Sequence, residues 1–236
     1  MGTIQANDNP GSRMQVGSTV LERAKGVGTK AVAAKLRTFQ QSHAAYAAAH
    51  AAALGVEEKL HAAQAAIAEA DDVQDDAVTA LAAKMIGDGA PKANPFKPFG
   101  LKPPSDINGS AVAIEVKTTK KLAKLAASWK PGGAATKKAA RTLASAVTRV
   151  EGAMTKTSPF EKAHVAALTK RNALGVSWER AMAKLKRAAR VADDDGAGGI
   201  YATLFGAEPA HHAKRKSPAG APPAPPGTVP PAATGT

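Results

Sequence analysis

The sequence predicts an all-α protein, an elongated antiparallel helical bundle in which one long helix packs against about three shorter ones in a coiled-coil-like manner. Alanine, the residue that favours helix most strongly, occupies 56 of the 236 positions. Leu, Ile, Val and Phe together occupy 39 positions, which argues against the hydrophobic strands of a β-sandwich or a doubly wound α/β fold. Apolar residues also recur at three- and four-residue steps over long stretches, as they do in amphipathic helices.

The long helix is predicted over residues 30–86. Large apolar side chains share a seven-residue register along it: Val32, Phe39, Tyr46, Leu60, Ile67 and Leu81. In the companion register we expect His43 and His50 to be polar residues of the seam rather than metal ligands, because they lie two helical turns apart. A continuous helix of this length would extend on the order of 80 Å and needs packing partners along it. Residues 1–28 carry few apolar anchors and predict a flexible N-terminal arm.

Residues 87–109 predict a loop after the long helix. The segment contains five prolines, and proline neither donates a backbone hydrogen bond nor continues a helix. Phe96 and Phe99 each follow a proline directly. We expect these two rings to attach the loop to the helices.

Three shorter helices are predicted after this loop, over residues 110–129, 134–156 and 159–192. The third has the strongest local start signal in the chain. Ser158 can cap it, Pro159 suits its first turn, and a glutamate follows three residues after the cap. These signals predict that a new helix begins at this point.

An apolar patch and a tail complete the chain. The patch, residues 199–206, ends a helical bundle that spans residues 29–206, and its large side chains are Ile200, Tyr201, Leu204 and Phe205. Residues 207–236 are rich in Pro and Ala and contain one large aliphatic side chain, Val229. Such a segment buries too little surface to offset the entropy lost on ordering, so we predict a disordered basic tail.

The net charge of +13 is unevenly distributed. Residues 1–90 contain 8 Lys and Arg against 10 Asp and Glu, whereas residues 91–236 contain 24 against 9. The first part therefore has a net charge of −2 and the second of +15. The excess positive charge belongs to the second part of the chain.

Ten basic residues are candidates for binding a polyanion: Lys117, Lys120, Lys121 and Lys124, then Arg180, Lys184 and Arg187, and the tail cluster Lys214, Arg215 and Lys216. Steps of three and four place each of the first two groups on one helix face. Such faces bind nucleic-acid phosphates by releasing counterions. They also suit an acidic protein or an anionic surface, plain solvation, or pairing with the acidic cluster 71–76 in the same chain or another subunit.

The sequence predicts no catalytic residue, metal ligand or cofactor, and therefore not an enzyme. The chain contains no cysteine, which removes thiolate zinc sites and cysteine nucleophiles. The six histidines lack the spacing of the common metal motifs, and the Asp-rich run 193–196 lacks the alternating ligands of an EF-hand. No signal peptide or apolar run long enough for a membrane span is visible. We expect a soluble protein, cytoplasmic or within an assembled particle.

Alanine contacts allow helices to approach closely but bury little surface per residue, so the core of so long a helix should be thin. Association would supply the missing burial. We expect a non-enzymatic structural or assembly protein, a helical subunit that packs against copies of itself or a larger scaffold. The candidate assembly contacts are Phe96, Phe99, Ile200, Tyr201, Leu204 and Phe205, although Tyr201 and Phe205 could equally cover the end of the bundle. The alternative is a non-specific nucleic-acid-binding protein, associated with a nucleoid or genome.

Overall fold

The structure, a computed structural model, describes residues 9–26 and 30–206. Within these residues every regular element is helical and no strand occurs, which confirms the all-α prediction. The α-helices are α1 (Pro10–Ala24), α2 (Ala33–Gly87), α3 (Pro104–Asn108), α4 (Val112–Ala127), α5 (Ala134–Ala192) and α6 (Ile200–Phe205). Short 3-10 turns occur at Lys30–Val32 and Lys97–Phe99, and a π-helical turn at Asp193–Ala197 follows α5.

Helices α2 and α5, of 55 and 59 residues, form an antiparallel hairpin. The Trp178 indole near the end of α5 contacts His43 near the start of α2, and the Thr157 hydroxyl lies 3.4 Å from the backbone oxygen of Ala63. At about 1.5 Å per residue, both helices are on the order of 80–90 Å long. The elongated antiparallel bundle is therefore confirmed, with two long helices instead of one.

The hydrophobic core is divided between the two ends of the hairpin. The loop core joins the end of α2, the Pro/Phe loop, α4 and the start of α5, around Leu81, Met85, Phe96, Leu122 and Leu143. The terminal core joins α1, the start of α2, the end of α5 and α6, around Val20, Phe39, Tyr46, Trp178 and Leu185. The large side chains that the sequence offers are thus concentrated where a third helix covers the hairpin.

Between the cores lies a waist, residues 47–69 of α2 and 155–173 of α5. Its buried residues are Ala49, Ala53, Leu60 and Thr157, so Leu60 is the one large apolar side chain buried in this part of the hairpin. Because alanine supplies much of the contact between the two helices here, little surface is removed from water. The waist confirms the thin core expected from the composition and confines it to the middle of the molecule.

Helix α1 replaces most of the flexible arm expected over residues 1–28. Asn9 caps the helix by accepting a hydrogen bond from the Gly11 amide at 2.9 Å, and Pro10 occupies its first turn. The side that α1 buries is made largely of small and polar residues, such as Gly17 and Ala24. A search for large apolar residues at helical spacing overlooks such a helix.

Helix α5 runs through Pro159 without ending, so the helix start expected at Ser158 is absent, and segments 134–156 and 159–192 form one helix. Proline deprives the carbonyl of Thr155, four residues earlier, of its usual helical donor. Both residues are exposed in the structure, so water can satisfy that carbonyl. The continuing contact with α2 on either side outweighs the local start signal.

Asp88 connects the two long helices at the loop end of the hairpin. Its Oδ2 accepts hydrogen bonds from the Thr136 hydroxyl at 2.6 Å and the Gly133 amide at 2.7 Å. These two bonds lower the pKa of Asp88 because they favour the charged carboxylate. A side chain that follows α2 therefore caps the start of α5, and the Pro-Gly-Gly break before α5 allows the approach.

Candidate interaction surfaces

The α4 basic stripe, Lys117, Lys120, Lys121 and Lys124, is exposed. The Lys120 ammonium forms an ion pair with Glu151 of α5 at 2.7 Å. Among the described residues, the other three lysines have no carboxylate within 4 Å. The stripe is therefore mostly free to contact an external anion.

The α5 basic stripe, Arg180, Lys184 and Arg187, is also exposed. The pairing of α2 with α5 brings Lys35 of α2 close to this stripe. Lys35, Lys184 and Arg187 line the same cleft, which has a volume of about 380 Å³. Asp195 lines the same cleft but forms no ion pair with these cations within 4 Å. Lys35 could not be assigned from spacing, because only the pairing of α2 with α5 brings it to the stripe. The tail cluster Lys214, Arg215 and Lys216 lies outside the described residues.

The acidic cluster 71–76 does not pair with either basic stripe within the chain. Asp71 and Asp75 turn towards α4, where both contribute to the environment of Glu115. Asp72 and Asp76 are exposed, as is Glu69 one turn earlier. We call Glu69, Asp72 and Asp76 the acidic stripe, since steps of three and four place them on one side of α2.

The candidate assembly contacts lie mainly in the cores of the chain itself. Phe96 is buried in the loop core, and Phe99 packs edge-on against Trp129 with ring centroids 6.2 Å apart. Ile200, Leu204 and Phe205 are buried in the terminal core. Tyr201 is half-buried, with the Arg190 guanidinium 4.8 Å from its ring centroid. The patch therefore covers the end of the bundle, and the sequence alone did not distinguish this from a surface anchor.

His43 is a buried residue of the terminal core, in keeping with the seam role expected of it. The Trp178 indole donates to its Nδ1 at 3.1 Å, which leaves the proton on Nε2, 3.3 Å from the Ser18 hydroxyl oxygen. Burial lowers the pKa of His43, because the charged imidazolium would lose its hydration. Gly17 of α1 passes so close to the ring that there is no space for a side chain. These contacts make His43 a structural residue.

A buried polar cluster fixes α3 and α4 to α2. The Gln74 amide donates to Glu115 Oε1 at 2.9 Å, and both side chains are at most 1% exposed. Burial, and then a hydrogen bond with Asp75, raises the pKa of Glu115 to about 7. The Asn108 amide donates to the backbone oxygen of Asp75 at 3.3 Å. Sequence analysis missed Glu115, although its place seven residues before Leu122 puts it on the apolar side of α4.

We expect the stability of the loop core to decrease as the pH rises from about 4.5 to about 7. In this interval the folded state holds a proton on Glu115 that the unfolded chain has already released, so folding is favoured at the lower pH. A Glu115→Gln variant, which imitates the protonated acid, should lose most of this dependence. Thermal unfolding across the interval measures it. The control is Glu161→Gln, an exposed carboxylate of the waist, and an unchanged slope in Glu115→Gln would contradict the assignment.

Within residues 9–26 and 30–206, no three His, Cys, Asp or Glu side chains are grouped so that they could bind a metal ion. None of the helices described there is long and apolar enough to cross a membrane. Neither a family model, nor a curated protein, nor a solved structure matches the sequence.

Proposed function

We propose that this chain is a non-enzymatic structural or assembly protein, a helical subunit that packs against copies of itself. The observation that carries the proposal is the waist, where the hairpin is two helices thick and Leu60 is the one large apolar side chain that is buried. A two-helix segment this long and rich in alanine gains little from its own packing. A neighbouring copy that covers the hairpin would supply the missing burial.

Exposed apolar side chains at and beside the waist support this proposal. Val165 is 65% exposed and Val176 48%. The step of eleven positions from one to the other is close to three whole turns, so both lie on the same side of α5. Leu54, 50% exposed, lies on α2 at the same level of the hairpin. A groove of about 410 Å³ on the waist is lined largely by alanines of both helices, with Phe160 among them. A closely packed helix would fill these positions.

The second candidate function is non-specific binding of nucleic acid. The observation that favours it is the cleft where Lys35, Lys184 and Arg187 converge without a carboxylate partner among the described residues. Exposed cations of this kind contact phosphate groups and lose affinity steeply as salt rises. The α4 basic stripe at the other end of the hairpin offers a further set of such contacts.

Light scattering coupled to size-exclusion chromatography tests both functions with the full chain. We expect a mass above 23.9 kDa in the absence of DNA, increasing with protein concentration. A mass of 23.9 kDa at every concentration and salt would overturn the assembly function. If that monomer also retarded duplex DNA of any sequence in a gel, and released the DNA as salt rose to about 0.3 M, the nucleic-acid function would replace the assembly function.

A further inference from the structure

We propose that the acidic stripe of one copy binds the α5 basic stripe of a second copy, so that α2 of the first packs antiparallel to α5 of the second. This inference rests on the proposed assembly function and names the surfaces that perform it. All six side chains are exposed. None of them lies within 4 Å of an oppositely charged side chain among the described residues.

The spacing of the charges matches in the antiparallel direction. Glu69, Asp72 and Asp76 are separated by steps of three and then four residues. Read backwards along the chain, Arg187, Lys184 and Arg180 are separated by the same steps. In two antiparallel helices of equal pitch, three carboxylates and three cations with these steps lie opposite one another in pairs.

The neighbouring residues in this register are compatible with close helix packing. Four residues beyond each end of the charged set, Ala80 lies opposite Val176 and Ala65 lies opposite Val191. Val176 and Val191 are 48% and 58% exposed, which is unusual for large apolar side chains in this chain. Both alanines are exposed as well. An alanine opposite a valine lets two helices approach while the valine is removed from water.

The two stripes lie on the outer sides of the hairpin. The acidic stripe is opposite the residues of α2 that face α5, such as Leu60 and Gln74, which are buried. The α5 basic stripe is likewise on the side of α5 away from buried residues such as Trp178 and Leu185. One copy therefore presents an acidic surface on one side and a basic surface on the other. Copies joined in this way form a heterologous, open-ended array.

Charge-reversal variants of the full chain provide the test. The variant Glu69→Lys/Asp72→Lys makes both stripes basic, and the variant Lys184→Glu/Arg187→Glu makes both stripes acidic. Each alone should remain at 23.9 kDa under conditions in which the wild type assembles, because like charges now face each other. An equimolar mixture of the two should assemble again, since the basic α2 of the first matches the acidic α5 of the second. All substitutions are at exposed positions, so circular dichroism should show unchanged helicity.

The control variant is Lys117→Glu/Lys121→Glu, which makes the same charge change on the α4 basic stripe and should assemble like the wild type. Wild-type assembly should weaken as salt rises towards about 1 M, where charges are screened within a few ångströms.

If the two charge-reversal variants assemble like the wild type, or their mixture does not assemble, the proposed contact is wrong and the assembly function still stands. If Lys184→Glu/Arg187→Glu loses only DNA binding, the stripe serves nucleic acid and the inference is overturned. A wild type that is monomeric throughout overturns both the contact and the assembly function.

Discussion

Replacing Trp178 with alanine is expected to lower the free energy of unfolding of the terminal core by about 3–5 kcal/mol, as for other fully buried aromatic residues. Trp178 is 1% exposed and packs edge-on against Phe39, with ring centroids 5.5 Å apart. The substitution leaves a cavity between α2 and α5 and removes the indole donor from His43. Urea denaturation followed by circular dichroism measures the loss.

Trp129→Ala is the matched control, since it removes the other tryptophan of the chain. Trp129 lies half-buried at the margin of the loop core, where its main ring contact is with Phe99. A smaller loss is expected because solvent already reaches this ring. Equal losses in the two variants would show that Trp178 is not a central residue of the terminal core.

A Gly17→Ala substitution is expected to destabilise the protein by about 1–3 kcal/mol, the usual cost of placing extra volume in a packed core. A Cβ at this position would lie 2.3 Å from Nδ1 of His43, far inside normal contact distance. The imidazole has little freedom to move away, because it is hydrogen-bonded to Trp178 and is within reach of Ser18. Helix α1 would have to shift outwards. The midpoint of thermal or urea unfolding reports the change.

Gly55→Ala provides the opposite expectation in the same chain. Gly55 lies within α2, and a Cβ there would meet nothing within 4 Å. Since alanine favours helix over glycine by about 1 kcal/mol, this variant should be slightly more stable than the wild type. Destabilisation in both variants would show that the close approach of α1 to His43 is not what requires Gly17.

Much of the fold could be predicted because the long helices carry a regular apolar pattern. The helix expected over 30–86 corresponds to Ala33–Gly87, and the one over 110–129 to Val112–Ala127. The incorrect predictions concern segments where tertiary contacts outweighed the local signals for the start or absence of a helix. Pro159 lies within a helix because the hairpin continues on both sides of it. Helix α1 buries Gly17 against His43, which is distant in the sequence, so no stripe of large apolar residues indicates this helix.

The candidate surfaces were predictable only in part. Helical spacing identified both basic stripes, since charge and period are local properties. The position of Lys35 beside Lys184, and of Glu115 beside Gln74, depends on which helices pair and in which register. Burial of the patch around Phe205 depends in turn on α1 and the end of α5. Spacing can identify a face of a helix, but it cannot show whether the chain itself covers that face.

The division of the core into two ends also determines how the molecule unfolds. Because the waist buries one large apolar side chain, Leu60, its packing couples the stability of the loop core only weakly to that of the terminal core. Each end should therefore behave as a separate cooperative unit, with its own protection of backbone amides from hydrogen exchange. A neighbouring copy that covers the waist would join the two units into one. Assembly would then change the cooperativity of the subunit as well as its stability.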